Sequence, residues 1–173
     1  MNTTASGATF SEDRVYRYHL WRSWDATLPR CAFIGVNPSI ANETKPDQTI
    51  TKEVGFATRW GFGSISKVNL FGLVSTDVRG LLGVVDPVGP ENDKHLYLAL
   101  EGASRIVLAW GKHTPGVRKL VQARLAALGK TLFWVAQRSC EIGTLGRNDD
   151  GSPKHPLMLA YATPWIPEPT LTA

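Results

Sequence analysis

Short apolar runs alternate with helix-patterned segments through the middle of the chain, and this alternation restricts the possible folds more than any other feature. Cys31-Ala32-Phe33-Ile34-Gly35-Val36 is a continuous apolar run that stops at Asn37-Pro38. It is too short for a typical helix and reads as a buried strand. Asp47 can cap a helix running through Trp60, with Ile50, Val54 and Ala57 on one face. The Gly61-Phe62-Gly63 turn leads into a second strand, Ile65 to Phe71. A helix starts near Glu91, with acidic and amide residues in its first turn and Leu96, Leu100 and Ala103 on its apolar side. Arg105 to Trp110 is predicted as a third strand, Gly116 to Leu128 as a helix ended by Gly129, and Thr131 to Ala136 as a further strand. Upstream, Tyr16, Tyr18 and Leu20 alternate with Arg17 and His19, the period of a strand. Strands and helices in turn imply an α/β three-layer sandwich with a mainly parallel central sheet.

A length of 173 residues suits one domain. Residues 1–13 are small and polar and are expected to be a flexible N-terminus, 14–167 the domain, and 168–173 a tail. No segment approaches the roughly 20 apolar residues that span a bilayer, and the N-terminus has no apolar core of a signal peptide. A cytoplasmic monomer is expected. Cys31 and Cys140 form no CxxC pair and have no histidine at ligand spacing, so both read as small buried residues and no metal is expected. No cofactor is expected either: there is no phosphate-binding glycine loop, and no Gly-x-Ser-x-Gly elbow. The formal charge of +4 is compatible with a polyanionic partner such as DNA or a nucleotide.

In an open parallel sheet, ligands bind beyond the carboxyl ends of the strands. Polar residues stand at several such ends. Asn37 follows the first buried strand in Gly35-Val36-Asn37-Pro38-Ser39. Asn69 lies late in the second, in Lys67-Val68-Asn69-Leu70-Phe71. Trp110-Gly111-Lys112-His113 closes the third, and Lys154-His155-Pro156-Leu157 lies in a Gly- and Pro-rich loop.

These stretches resemble, in order, the motifs of the uracil-DNA glycosylase superfamily. Gly35-Val36-Asn37-Pro38-Ser39 is similar to its Gly-x-Asp/Asn-Pro turn, Val68-Asn69-Leu70 to the strand whose Asn reads a flipped base, and His155-Pro156-Leu157 to its His-Pro-Ser motif. Ile106 to His113 resembles the apolar strand and Gly turn that precede a helix in those enzymes. The pattern departs at Asn37, where Asp is common, and at Leu157, where Ser is usual. The Asn-Pro-Ser, Asn-Leu-Phe, Asp-Pro-Val-Gly-Pro-Glu-Asn, Ala-Trp-Gly and His-Pro-Leu signatures are also similar to those of a family of bacterial and phage proteins of unknown function.

The resemblance implies a uracil-DNA glycosylase-like fold and cleavage of an N-glycosidic bond. His155 would be the donor to the base oxygen, Asn69 the reader of the base edge and Asn37 the group that positions water. The expected stacking wall is Phe56, Trp60 or Phe71, and the expected DNA-backbone contacts are Arg59, Lys67, Lys112, Arg147 and Lys154. Asp149 or Asp150 could orient His155. Asp47, Asp77, Asp86, Asp149 and Asp150 are spare carboxylates that could replace the acid missing at position 37. Two other readings stay open: a non-catalytic module for a nucleotide or single strand, and a hydrolase of free nucleosides or nucleotides. Each residue also has a plain reading, Asn37-Pro38 as a turn, Asp149-Asp150-Gly151 as a turn, and the aromatics as core.

Overall fold

A computed structural model describes residues 4–39, 48–136 and 140–168, the side chains of 130–136 excepted. Seven strands form one sheet: β1 (Ala5–Phe10), β2 (Arg17–Ser23), β3 (Arg30–Gly35), β4 (Ser64–Asn69), β5 (Arg105–Leu108), β6 (Glu141–Thr144) and β7 (Ile166–Pro167), in the order β1-β2-β4-β3-β5-β6-β7. Among the described residues three helices of α type accompany it: α1 (Gln48–Arg59), α2 (Asn92–Glu101) and α3 (Pro115–Ala136).

The buried central strand β3 explains the layering. Its side chains point alternately to the two faces. Cys31 and Phe33 join Ile50, Phe56 and Ala57 of α1 in one core. Ala32 and Ile34 join Leu96 and Leu100 of α2 and Val117, Val121 and Leu128 of α3 in the other. The chain leaves β3 through α1 to β4 on one side, then returns through α2 to β5 on the other. Parallel crossovers share one hand, so opposite directions of travel put α1 and α2 on opposite faces.

The sheet is mixed, and this corrects the expectation of a mainly parallel one. β4, β3, β5 and β6 are parallel neighbours. The β1–β2, β2–β4 and β6–β7 pairs are antiparallel. Two elements differ more sharply from the sequence reading. Residues Ala5–Phe10 are strand β1 rather than part of a flexible N-terminus, because the backbone pairing comes from β2 and needs little from their small side chains. Gly129 does not end α3, which continues through Thr131–Ala136 in place of the expected strand. The strand role passes to Glu141–Thr144. At the C-terminus, the Glu168 N–H donates to the Ile142 carbonyl and its carboxylate pairs with Arg147, so the sheet edge extends to that residue.

His19 on β2 gives the fold a pH dependence. Its Nε2 lies 3.0 Å from Ser66 Oγ. Burial, followed by the nearby Arg30 charge, pushes the imidazole down from 6.5 to about 4. The folded ring is harder to protonate than the unfolded one. Its contribution to stability is therefore complete above pH 6.5 and disappears as the pH falls towards 4. Urea unfolding at pH 7 and near pH 4 should show a loss of roughly 3 kcal/mol from this group, and His19→Phe should remove that part of the slope.

Candidate functional site

The reversal of strand order between β3 and β5 opens a crevice at their carboxyl ends, the usual place for a ligand in such sheets. Two neighbouring spaces that share lining residues lie there. The outer one is an open cleft of about 450 Å³, lined by Val36 and Asn37 after β3, Ser75 to Val78 after β4, Trp110 to His113 after β5, and Ser39 and His155. The inner one is a chamber of about 130 Å³, lined by Arg17, Gly35, Thr49, Ile50, Lys67 and Asn69, and again by Val36, Asn37, Ser39 and His155. Asn37 and His155 thus stand at the junction, and Asn69 lies inside.

Local chemistry sets each position. Asn37 is half-buried, and its Nδ2 donates to the carbonyls of Ser75 at 2.8 Å, Pro38 at 3.1 Å and Leu73 at 3.5 Å. The amide nitrogen is committed to holding the 73–75 loop, which leaves Oδ1 as the end that can accept. Asn69 is 1% exposed, and its Oδ1 is buried without a hydrogen-bond partner. Buried polar atoms are nearly always paired, so an orphan in a cavity wall asks for an explanation. The end of β4 that carries it is clamped by Asn92, at the end of the Asp86 to Asn92 stretch. Asn92 Nδ2 donates to the Asn69 and Leu70 carbonyls at 3.1 and 3.3 Å. Arg124 Nε donates to Leu70 as well, while its guanidinium pairs with Asp93.

Gly35 leaves room for two end groups on the chamber floor. A Cβ there would sit 2.6 Å from Asn69 Oδ1 and 2.8 Å from Lys67 Nζ. Lys67 is buried, and its Nζ donates to Glu53 Oε1 of α1 at 2.6 Å. The expectation of Lys67 on a DNA-facing rim is therefore corrected: it belongs to the interior. Sequence reading also missed Arg17 and Glu53. The signal for Glu53 was present, since it lies three residues after Ile50 and four before Ala57, on the inward stripe of the helix.

His155 precedes a 3-10 turn, Pro156–Met158, and its Nδ1 accepts from the Leu157 N–H at 3.3 Å. With Nδ1 accepting, the neutral ring carries its proton on Nε2, which makes that atom a donor. The loop is fixed to the end of β5 by the Gly111 N–H donating to the Pro153 carbonyl at 3.1 Å. Gly111 has φ of 81°, and a Cβ there would come 3.2 Å from His155 Cβ. Gly111→Ala is expected to cost about 1–2 kcal/mol from the left-handed backbone alone and to displace His155. Thermal unfolding measures the first effect and the NMR shifts of the His155 ring the second.

The remaining expected residues divide. Lys112 lines the outer cleft and pairs with Asp149 at 2.6 Å. This contact raises the lysine and lowers the carboxylate. Asp150 Oδ1 accepts from the Ser152 N–H and hydroxyl, so both expected orienters of His155 have partners of their own. Arg147 pairs with Glu168, and Lys154 is half-buried beside Gly146. Arg59 lies over the Tyr161 ring, away from both spaces. Phe56 and Phe71 are buried in opposite cores, and Trp60 packs on Phe33 and Phe56. None of these rings reaches either space. Helical and strand periodicity turned them inward, and the aromatic in the cleft wall is Trp110.

Among the spare carboxylates, Asp77 lines the cleft, bound by Arg79 through both oxygens and held below its usual range by that contact. Asp86 caps Val88 and Gly89 instead, and Asp47 lies outside the described residues. His113 Nε2 lies 2.7 Å from the Trp110 carbonyl, and burial lowers its pKa. Burial raises both thiols; Cys31 is fully buried and Cys140 only half. Among the described residues, no group of three or more His, Cys, Asp or Glu is placed to hold a metal ion, and no helix is long and apolar enough to cross a membrane.

Fold and site together define an α/β protein with a two-chambered crevice at the switch point of a mixed sheet. The chain belongs to the family described as protein of unknown function (DUF1643), whose model matches residues 17–157. No curated protein and no solved structure matched it.

Proposed function

We propose that the chain is a glycosylase of the uracil-DNA glycosylase type, which takes a base of DNA, normal or modified, into the inner chamber and hydrolyses its N-glycosidic bond. The observation that carries this reading is the buried, unpartnered Asn69 Oδ1 in a chamber that also meets Asn37 and His155. An amide there can read a pairing edge, and a ligand donor would satisfy the orphan oxygen. The His155 Nε2–H is suited to an oxygen on which negative charge develops. Asn37 Oδ1 can accept from a water beside the sugar carbon. The outer cleft has room for the sugar, with Trp110 as its apolar wall.

The free-nucleoside reading is favoured by one observation: the cleft's rim charges are largely neutralised in ion pairs, Lys112 with Asp149, Arg79 with Asp77 and, nearby, Arg147 with Glu168. Phosphate tracks usually present unpaired cations.

Mass-spectrometric detection of bases released from oligonucleotides carrying varied modified nucleotides, beside the matching free nucleosides, distinguishes the readings. Release from DNA is expected. His155→Ala should reduce it about 10²–10³-fold, the usual loss for one such donor, and Asn69→Ala should reduce it with the fold retained. Release from nucleosides alone would move the substrate to the free compound. Salt-dependent DNA binding with no product would make the protein a binding module.

A further inference from the structure

Three positive features reach the inner chamber from different elements. Arg17 on β2 lines it and is 3% exposed. Lys67 on β4 lines it and is 5% exposed. The first turn of α1 supplies Thr49 and Ile50, at the end of the helix where its dipole is positive. Glu53 accepts from Lys67 Nζ but forms no part of the chamber wall. The ion pair is therefore oriented, with the cation at the cavity and the anion behind it in the α1 core. Among the described residues Glu53 is the hydrogen-bond partner of Lys67, which leaves two ammonium N–H donors.

A buried ion pair is a poor source of stability, because desolvation offsets the attraction. A cation fixed at a cavity wall by a carboxylate behind it is well suited to charge that develops inside the cavity. We propose that Lys67 is a catalytic residue of this chamber, whose ammonium donates to the reacting base and neutralises the charge that develops on it. This inference rests on the glycosidic reading above. As the bond from the sugar carbon to the base nitrogen breaks, its electron pair moves onto the base ring and its oxygens. Lys67 and the His155 Nε2–H donate to those oxygens. Water adds to the sugar carbon, and the proton it loses ends on the base, so the products are a free neutral base and a sugar hydroxyl.

Inorganic phosphate is the other anion such a chamber could accept, and the test separates the two. The ligand is 5-nitrouracil, a pyrimidine acidic enough to ionise near neutral pH, titrated calorimetrically below and above its ionisation. The wild-type chain is expected to bind the anion at least about tenfold more tightly than the neutral form. The double variant Glu53→Gln/Lys67→Met, which removes both charges and strands neither, should lose that preference, and Lys67→Arg should retain part of it. Equal affinity for both forms, a preference that survives in the double variant, or Lys67-dependent binding of phosphate without binding of 5-nitrouracil would overturn the proposal.

Release kinetics supply a second readout. The double variant should slow release of uracil more than release of 5-fluorouracil, a better leaving group, whereas a purely structural change would slow both alike. Anion binding without any base release would remove the reaction and keep the chamber's assignment. Base release without anion preference would do the reverse.

Discussion

Replacing Asn69 with leucine is expected to make the protein more stable and to abolish ligand capture. Asn69 is 1% exposed, and its Oδ1 has no partner. An unsatisfied buried polar atom carries a desolvation cost of about 1–3 kcal/mol. Leucine is of similar length and brings no polar atom, so part of that cost is recovered. For a domain of this size, each kcal/mol moves the melting temperature by about 2–4 °C. Base release, or base binding where turnover is too slow to follow, should fall by about 10²-fold or more, because the amide proposed to meet the base edge is gone. A residue kept only to satisfy a backbone group would behave in the opposite way: its loss would lower the melting temperature and leave binding intact. Calorimetric melting beside a binding titration decides between them.

The second large effect concerns Lys67→Met. Were Lys67 a rim residue, the substitution would change stability by about 0.5 kcal/mol or less. In the structure its partner Glu53 is fully buried, and removal of one member of a buried pair typically costs about 3–5 kcal/mol. The stranded carboxylate would take up a proton, so the deficit should shrink as the pH is lowered through the weakly acidic range. Restoring neutrality with Glu53→Gln should recover most of the loss at pH 7. Urea unfolding of the single and double variants at pH 5 and pH 7 tests this. A single variant as stable as wild type would return Lys67 to the surface.

The parts of the fold that could be read from sequence are those where a periodic apolar pattern meets a strong stop. Cys31 to Val36 ends at Asn37-Pro38, and the strand ends close to there, at Gly35. The α1 stripe and the Glu91 helix start are of the same kind. Asn37 and Asn69 were legible because strand ends are where a parallel sheet holds its ligands, and His155 through the resemblance of His155-Pro156-Leu157 to a known motif; the structure brings all three to one chamber. Patterns without that redundancy misled. Thr131 to Ala136 is rich in residues that favour strands, yet it continues a helix, since local propensity yields to the surrounding chain. β1 and β7 are held by backbone pairing to a neighbour, which leaves little trace in side-chain type. Phe56, Phe71 and Trp60 carry the composition of a stacking wall, but one-dimensional spacing does not tell a wall from a core. Lys67 was misplaced because a charge in a strand reads as solvent-facing until its partner, fourteen residues away in α1, is seen.

The three carbonyls gathered on Asn37 Nδ2 also bear on why this position holds an amide. A carboxylate in the same place would turn lone pairs toward the oxygens of Pro38, Leu73 and Ser75, and like would face like. The segment running to Asp77 would lose this tether and keep the backbone bonds of Leu73, Val74 and Ser75, so one bank of the cleft would be held less firmly. An engineer seeking a stronger base at this turn by installing the acid would thus weaken the frame that gives the base somewhere to act. An amide at position 37 is, in this light, what the surrounding carbonyls call for.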